Sequence, residues 1–138
     1  EALEIGTGSG YVTALLARSC REVVSVEIRD DLSCGAGNKL NAHAIENVTL
    51  SVGDGVAGWV PTAPYDVIAV TGSVHQLDSS LQEQLRIGGR LFVIVGDAPV
   101  MEAVLITRVS DTEWSQESLF ETSLPALSGA ETPSRFIL

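Results

Sequence analysis

Apolar and polar positions follow two rhythms along this chain. Short blocks with little polar interruption recur at Ala2–Ile5, Val23–Glu27, Val48–Val52, Tyr65–Thr71 and Arg90–Val95. Val23, Val24 and Val26 form a β-branched run of the kind that suits a strand buried on both faces. Between these blocks the period changes to that of a helix. Gly10–Arg18 places Val12, Leu15 and Leu16 on one side, and Asp31–Ala44 repeats Leu32, Ala36 and Leu40 at four-residue spacing, with Asp30 or Asp31 placed to cap it. Ser79–Leu85 reads as a short helix. Gly53-Asp54-Gly55, Pro61, Pro64 and Gly88-Gly89 supply the turns.

Beyond the fifth block the pattern changes. Ala103–Val109 and Ser118–Ser123 read as two further strands, with polar Ser110–Gln116 as their hairpin connection. Ser128–Ser134, rich in small residues and Pro, reads as a surface loop before Arg135–Leu138. Strand–helix alternation predicts an α/β fold with a mainly parallel, doubly wound sheet and helices on both faces, and the closing hairpin predicts an antiparallel C-terminal edge. No repeat, low-complexity tract or linker interrupts residues 1–138, so the expectation is a single domain.

Chemistry concentrates at the first strand. Leu3-Glu4-Ile5-Gly6-Thr7-Gly8-Ser9-Gly10 runs from an apolar block into three glycines at alternate positions, and a helical segment follows at once. That is a strand, a tight turn and a helix N-terminus, where a Cβ would obstruct the turn and exposed N–H groups favour oxygen-rich ligands. A Rossmann dinucleotide fingerprint spaces its glycines G-x-G-x-x-G. Here the third glycine comes one residue early and Tyr11 holds the dinucleotide position. E-x-G-x-G-x-G is similar to the first motif of the S-adenosylmethionine-dependent methyltransferases. Three more polar residues fall at the carboxyl ends of predicted strands, where open α/β sheets bind ligands. Glu27 ends the second, seventeen positions after Gly10, and suits two ribose hydroxyls. Asp54 follows the third and suits an adenine amino group. Thr71 ends the fourth, nearest to a reacting group. Taken singly, Glu27 reads equally as a solvated strand-end acid, Asp54 as a turn residue bonded to its own backbone, and the glycines as a turn.

Composition removes several classes. The chain has 138 residues, 45% of them hydrophobic, and a mean hydropathy of +0.25, enough for one domain with a core. The net charge of −10, with only eight Lys and Arg, argues against a nucleic-acid backbone as partner. Apolar runs fall short of the roughly 18 residues of a bilayer-spanning helix. Cys20 and Cys34 have neither metal-ligand nor redox spacing and read as partly buried reduced thiols. No metal site is expected. With no secretory signal in view, the expected location is cytoplasmic. Residue 1 is Glu, and a strand begins directly after it, so the expectation is that an N-terminal portion is missing.

Several segments together resemble the protein-L-isoaspartate O-methyltransferase family. They are Leu3–Tyr11 (LEIGTGSGY), Val26-Glu27, Val52–Gly55 (VGDG) with Gly58, Ala63–Val70 (APYDVIAV) and Gln84–Gly96 (QLRIGGRLFVIVG), in order and without large gaps. Leu119–Leu127 (LFETSLPAL) and Ser134–Leu138 (SRFIL) are similar to a divergent bacterial branch of it. The resemblance implies a class I methyltransferase fold, S-adenosyl-L-methionine as cofactor with S-adenosyl-L-homocysteine as product, and repair of damaged protein by methylation of isoaspartyl carboxylates. It implies cofactor contacts from Gly6, Gly8, Ser9, Glu27, Asp54 and Gly55, and Glu4, Thr7, Gly10, Ile28 and Thr71 complete the expected set. The chain departs from the family on the substrate side. A Ser/Thr-rich segment with Pro-His, which precedes the first strand in family members and orients the substrate carboxylate, is absent from these residues. The small residues and Pro expected after the fourth strand are replaced by Gly72-Ser73-Val74-His75-Gln76-Leu77.

Methyl transfer to an ionised carboxylate needs neither an acid to expel the neutral leaving group nor a base to prepare the acceptor. No catalytic side chain is therefore required. Thr71 and His75 are the two candidates, His75 as a base for a hydroxyl or amine acceptor. The plainer reading of His75 is an exposed loop histidine. His43 reads as a cation at a helix C-terminus, and Trp59 and Trp114 as partly buried anchors. Two other functions stay open: a methyltransferase of this fold acting on a small molecule, and a non-catalytic S-adenosylmethionine-binding module. The methyl acceptor and oligomeric state are not legible.

Overall fold

The computed structural model describes residues 1–97 and 99–122. Its elements are β1 (Ala2–Ile5), α1 (Tyr11–Ser19), β2 (Val23–Glu27), α2 (Asp30–Ala42), β3 (Val48–Val52), a 3₁₀ turn (Val60–Thr62), β4 (Tyr65–Val74), α3 (Ser79–Glu83), β5 (Leu85–Asp97), β6 (Val100–Ser110) and β7 (Glu113–Thr122). One seven-stranded sheet runs in the order β3-β2-β1-β4-β5-β6-β7. The first five strands pair in parallel, while β6 pairs antiparallel to β5 and β7 to β6.

Strand position explains the two rhythms. β1 and β2 are central and every residue in both is buried, whereas edge strand β3 is only partly covered. Leu3, Ile5, Val24, Val26, Ile68, Val70, Leu91 and Val93 form one continuous core. Each such side chain contributes roughly 1.5–3 kcal/mol on leaving water. Asn47 joins helix and sheet: its Nδ2 donates to Ala17 O at 2.8 Å and Cys20 O at 3.0 Å. This satisfies carbonyls that the end of α1 leaves without partners.

The five predicted parallel strands and the closing antiparallel pair are present, with changed boundaries. β4 continues past Thr71 to Val74, and its register with β5 shifts between Ala69 and Ser73. The extra residues form a bulge that places Thr71 and Gly72 at the sheet's carboxyl edge. β5 begins at Leu85 rather than Arg90, because Gly88-Gly89 lies within the strand at a second register shift. A Cβ on Gly89 would lie 2.8 Å from Arg86 O and 2.9 Å from Tyr65 O. The polar segment assigned to the hairpin connection is mostly strand. β7 starts at Glu113, and Ser115, Gln116 and Glu117 are polar because β7 is an exposed edge. The predictions for Ser123, Ser128–Ser134 and Arg135–Leu138 fall outside the described residues. Among the described residues no helix is long and apolar enough to cross a membrane. Cys20 and Cys34 are free thiols, but Cys34 is exposed rather than partly buried, its Sγ 3.7 Å from Asp30 Oδ1 on the outer face of α2.

Candidate cofactor site

The strand order reverses between β1 and β4: the chain winds outward through β2 and β3, then crosses back to the other side of β1. A crevice at the carboxyl ends beside such a reversal is the expected ligand position in this architecture. Here it is a cavity of about 390 Å³ lined by Ile5, Gly6 and Gly8 from the first turn, Val26, Glu27, Ile28, Arg29 and Leu32 from the second, Gly53 to Val56 from the third, and Thr71 and Gly72 from the β4 bulge. Small-molecule sites typically span about 300–1,000 Å³.

The glycine turn is shaped by backbone that side chains resist. Gly6, Gly8 and Gly10 have φ of 95°, 53° and 87°. A Cβ on Gly8 meets nothing within 4 Å, so that glycine opens directly onto free space. A Cβ on Gly10 would lie 3.2 Å from Ala36 Cβ, so this glycine lets the turn rest against α2. Gly10→Ala combines that contact with left-handed backbone and is expected to destabilise the fold by more than about 1 kcal/mol. Urea unfolding of the variant and the parent checks this, and equal midpoints would contradict it.

Glu27 anchors the turn. It is 7% exposed; Gly8 N–H donates to its Oε1 at 2.9 Å and Arg29 N–H to its Oε2 at 3.1 Å. A carboxylate offers about four acceptor positions, so both oxygens keep capacity toward the cavity. Gly53 N–H donates to Glu27 O at 2.9 Å, which fixes the start of the third turn to the same residue. Asp54 then projects at the rim, its Oδ1 accepting from Val56 N–H at 3.0 Å. The self-bonded turn reading of Asp54 is thus correct in geometry and compatible with a place on the cavity wall. Gly55 packs under it, where a Cβ would lie 3.0 Å from Ile5 Cγ2.

Seven of the eleven cofactor positions read from the sequence therefore border one cavity: Gly6, Gly8, Glu27, Ile28, Asp54, Gly55 and Thr71. The other four do not. Glu4 is wholly buried between β2 and α1, where its Oε1 accepts from Thr13 Oγ1 and, at 2.6 Å, from Ser25 Oγ. Burial pushes its pKa above the usual carboxylate value, with Glu27's charge adding to the rise and the Ser25 and Thr13 bonds opposing it. Thr7 turns inward, its hydroxyl 2.6 Å from Ser25 Oγ. Ser9 and Gly10 line a separate groove between α1 and α2. The split follows position along the segment: Glu4 lies inside β1, Thr7 turns in to Ser25, and Ser9 and Gly10 already lead into α1. The expected set did not include Ile5, Val26, Arg29, Leu32, Gly53, Val56 and Gly72, which also line the cavity. Their signal was adjacency to residues already identified, since a turn brings its neighbours' backbone to the same wall.

Both catalytic candidates have hydrogen-bond partners within the fold. Thr71 lies within β4, and its hydroxyl donates to Ile5 O at 3.0 Å, at the end of β1, and to Gly6 O in the glycine turn. Its proton serves the sheet. His75 follows the end of β4, but it is half-buried and paired, with Nδ1 2.7 Å and 2.8 Å from the two carboxylate oxygens of Asp97 at the end of β5. It is not among the cavity-lining residues. His43 caps α2 as read, its Nδ1 2.9 Å from Lys39 O. Trp114 is an anchor, with Nε1–H donating to Gln82 O at 2.9 Å and Arg108 above the ring. Trp59 packs against the core.

The fold, with its glycine turn, strand-end carboxylate and cavity at the reversal point, is that of the class I methyltransferases. The profile described as protein-L-isoaspartate(D-aspartate) O-methyltransferase (PCMT) matches residues 1–131. The chain belongs to that family. It is 41% identical over 121 residues to the protein-L-isoaspartate O-methyltransferase of Syntrophus aciditrophicus, an alignment covering 86% of this chain and 56% of the relative. It is 40% identical over 129 residues to protein-L-isoaspartate O-methyltransferase 1 of Geotalea uraniireducens, covering 93% and 59%. A solved protein-L-isoaspartate O-methyltransferase superposes with a TM-score of 0.81 at 32% identity, covering 91% of this chain and 41% of that one. A PCMT-type structure from Plasmodium falciparum, in complex with S-adenosyl-L-homocysteine, gives a TM-score of 0.78 over 91% of this chain and 64% of that one. At 20% identity that likeness is one of fold. The chain thus spans somewhat over half the length of these curated relatives.

Proposed function

We propose that residues 1–138 form a single S-adenosylmethionine-binding domain serving carboxyl O-methylation of isoaspartyl residues in damaged protein. The observation that carries this reading is the convergence of Gly8, Glu27 and Asp54 on one cavity. The walls suit the cofactor's chemistry. Glu27, held by two backbone N–H groups, has acceptor capacity for ribose hydroxyls. Asp54 at the rim has it for an adenine amino group. The side-chain-free surface at Gly8 admits the amino-acid portion close to the backbone. When bound, S-adenosylmethionine supplies an electrophilic methyl on a sulfonium.

The protein's own part is positioning. An isoaspartyl carboxylate is ionised at neutral pH and attacks without a base. Held orientation of two reactants can supply roughly 7–11 kcal/mol of barrier reduction in favourable systems. This fits a cavity in which Thr71, the hydroxyl nearest the expected reaction centre, spends its proton on β1. Family membership supports the isoaspartyl acceptor.

Calorimetric titration is expected to show S-adenosylhomocysteine binding to this chain; no heat at millimolar ligand would contradict the cofactor reading. A methylation assay comparing isoaspartyl and aspartyl forms of one peptide, run on the protein at its full natural length, tests the acceptor. Base-labile methyl incorporation into the isoaspartyl form alone is expected. Equal incorporation, or transfer to metabolites only, would move the acceptor to another class.

A further inference from the structure

We infer that Gln84, which lies outside the cavity, is a positioning residue that sets Asp54 for recognition of the cofactor's base. The inference rests on the cofactor reading above. The segment 53–59 between β3 and the 3₁₀ turn has two sides. Gly53, Asp54, Gly55 and Val56 line the cavity, whereas Ala57, Gly58 and Trp59 run against Gln84.

Gln84 is buried and both ends of its amide are used. Oε1 accepts from Trp59 N–H at 2.8 Å, and Nε2 donates to Ala57 O at 2.9 Å. One acceptor and one donor therefore read an N–H and a carbonyl two residues apart, which fixes the register of the loop. Gly58 lies between the two contacts with φ of 92°, and a Cβ there would fall 2.4 Å from Gln84 Oε1. The amide thus sits flat on bare backbone.

The clamp connects directly to Asp54. Gly58 N–H donates to Gly55 O at 2.8 Å, joining the clamped half of the loop to the cavity half. The Trp59 ring lies across Gly53, where a Cβ would be 2.8 Å from Cζ3, and Tyr65 OH donates to Trp59 O. Gln84 is itself fixed by the fold: its carbonyl accepts from Tyr65 N–H at 2.8 Å and its N–H donates to Leu81 O at 3.2 Å. Asp54 is therefore carried by a segment pinned at Glu27 O on one side and at Gln84 on the other. Its own bond to Val56 N–H is internal to the segment and moves with it. Removing the amide takes away the bonds to Ala57 and Trp59 and leaves the Tyr65 OH bond at Trp59 O, so the carboxylate is held less closely to one place at the rim.

The test compares S-adenosylhomocysteine with S-inosylhomocysteine, whose base carries a carbonyl in place of the amino group, by calorimetry on wild type, Gln84→Ala and Gln84→Glu. Hydrogen exchange of the ligand-free proteins is followed in parallel. Wild type is expected to prefer S-adenosylhomocysteine. In Gln84→Ala that preference should shrink toward unity, S-adenosylhomocysteine affinity should fall by about tenfold, and exchange should rise across residues 53–59 while β1 and β2 remain protected. Gln84→Glu keeps the size and the acceptor but loses the donor to Ala57 O, so it should shift preference in the same direction if the alanine variant does not fold. Glu27→Gln, which acts on the ribose side, should lower affinity for both ligands and keep the preference. An undiminished preference in folded Gln84 variants overturns the positioning role, because a merely structural contribution would lower stability without altering base recognition. If wild type binds neither ligand, the cofactor reading fails first and this inference with it.

Discussion

Glu27→Ala is expected to weaken S-adenosylhomocysteine binding by at least about tenfold, and toward a hundredfold, with the fold retained. Two losses combine. The ribose loses an ionised acceptor, and hydrogen bonds to charged groups contribute about 1.5–3 kcal/mol each. The protein also loses what holds its own turn: Gly8 N–H and Arg29 N–H both end on this carboxylate, at 2.9 Å and 3.1 Å. Without it the glycine turn keeps its Gly6 N–H bond to Val26 O at 2.8 Å but loses the tie at Gly8, and ligand must then order what was already ordered. Glu27→Gln should restore little. One amide oxygen can replace one acceptor, but the NH₂ group then faces the second backbone N–H, donor against donor. Titration calorimetry on both variants gives the affinities and thermal melts report the fold. Unchanged affinity in a folded Glu27→Ala protein would remove this residue from the site.

The parts of this architecture that were readable in the sequence are those where one residue type answers one local demand. Three alternate glycines marked a turn that needs positive φ at each, and the structure has it at Gly6, Gly8 and Gly10. β-branched runs marked β2 because a central parallel strand is apolar on both faces. What stayed hidden was set by the partner across the sheet. The β4 bulge that holds Thr71, with the strand continuing beyond it to Val74, is a mismatch between two strands, Ala69 pairing with Phe92 but Ser73 with Ile94, and no local pattern encodes it. β7 was half missed because an exposed edge strand is polar and reads like a loop. His75 was read alone as a solvated loop side chain. The carboxylate that holds it, Asp97, is 22 residues away on the next strand. In the glycine motif the sequence located the cradle but could not sort its faces. Gly6 and Gly8 reach the cavity while Glu4 and Thr7 both turn to Ser25 on β2, and that sorting follows only once β1 lies beside β2.

Glu4 leads to the second large effect, on stability rather than binding. Its carboxyl is fully buried, Oε1 accepts two hydroxyl donors, and Oε2 has no hydrogen-bond partner among the described residues. A neutral acid fits this pattern, with a carbonyl oxygen taking both donors, because a bare carboxylate oxygen in the same place would carry the full desolvation penalty. Burial accordingly holds its pKa above the ordinary 4.5, and the nearby Glu27 charge pushes the same way. The sign of the linkage follows. Well below pH 4.5 the group is protonated in both folded and unfolded chains, and its protonation does not bias folding. As pH rises past that value the unfolded chain releases the proton while the folded chain keeps it, so stability falls by up to about 1.4 kcal/mol per pH unit until the folded-state pKa is reached. Glu4→Gln removes the titration, so urea unfolding of wild type relative to this variant should show a stability difference that declines steadily as pH rises above 4.5. Parallel curves would mean that Glu4 ionises as readily inside the protein as outside. Glu4→Ala should be worse than either at every pH. It leaves the Thr13 and Ser25 hydroxyls buried without their acceptor, at about 1–3 kcal/mol for each unsatisfied group, and opens a void in addition. Because Ser25 also meets the Thr7 hydroxyl at 2.6 Å, that damage reaches the residue next to Gly8. The alanine variant should therefore lose cofactor affinity as well as stability, while the glutamine variant, which keeps an acceptor for Ser25, should keep most of that affinity.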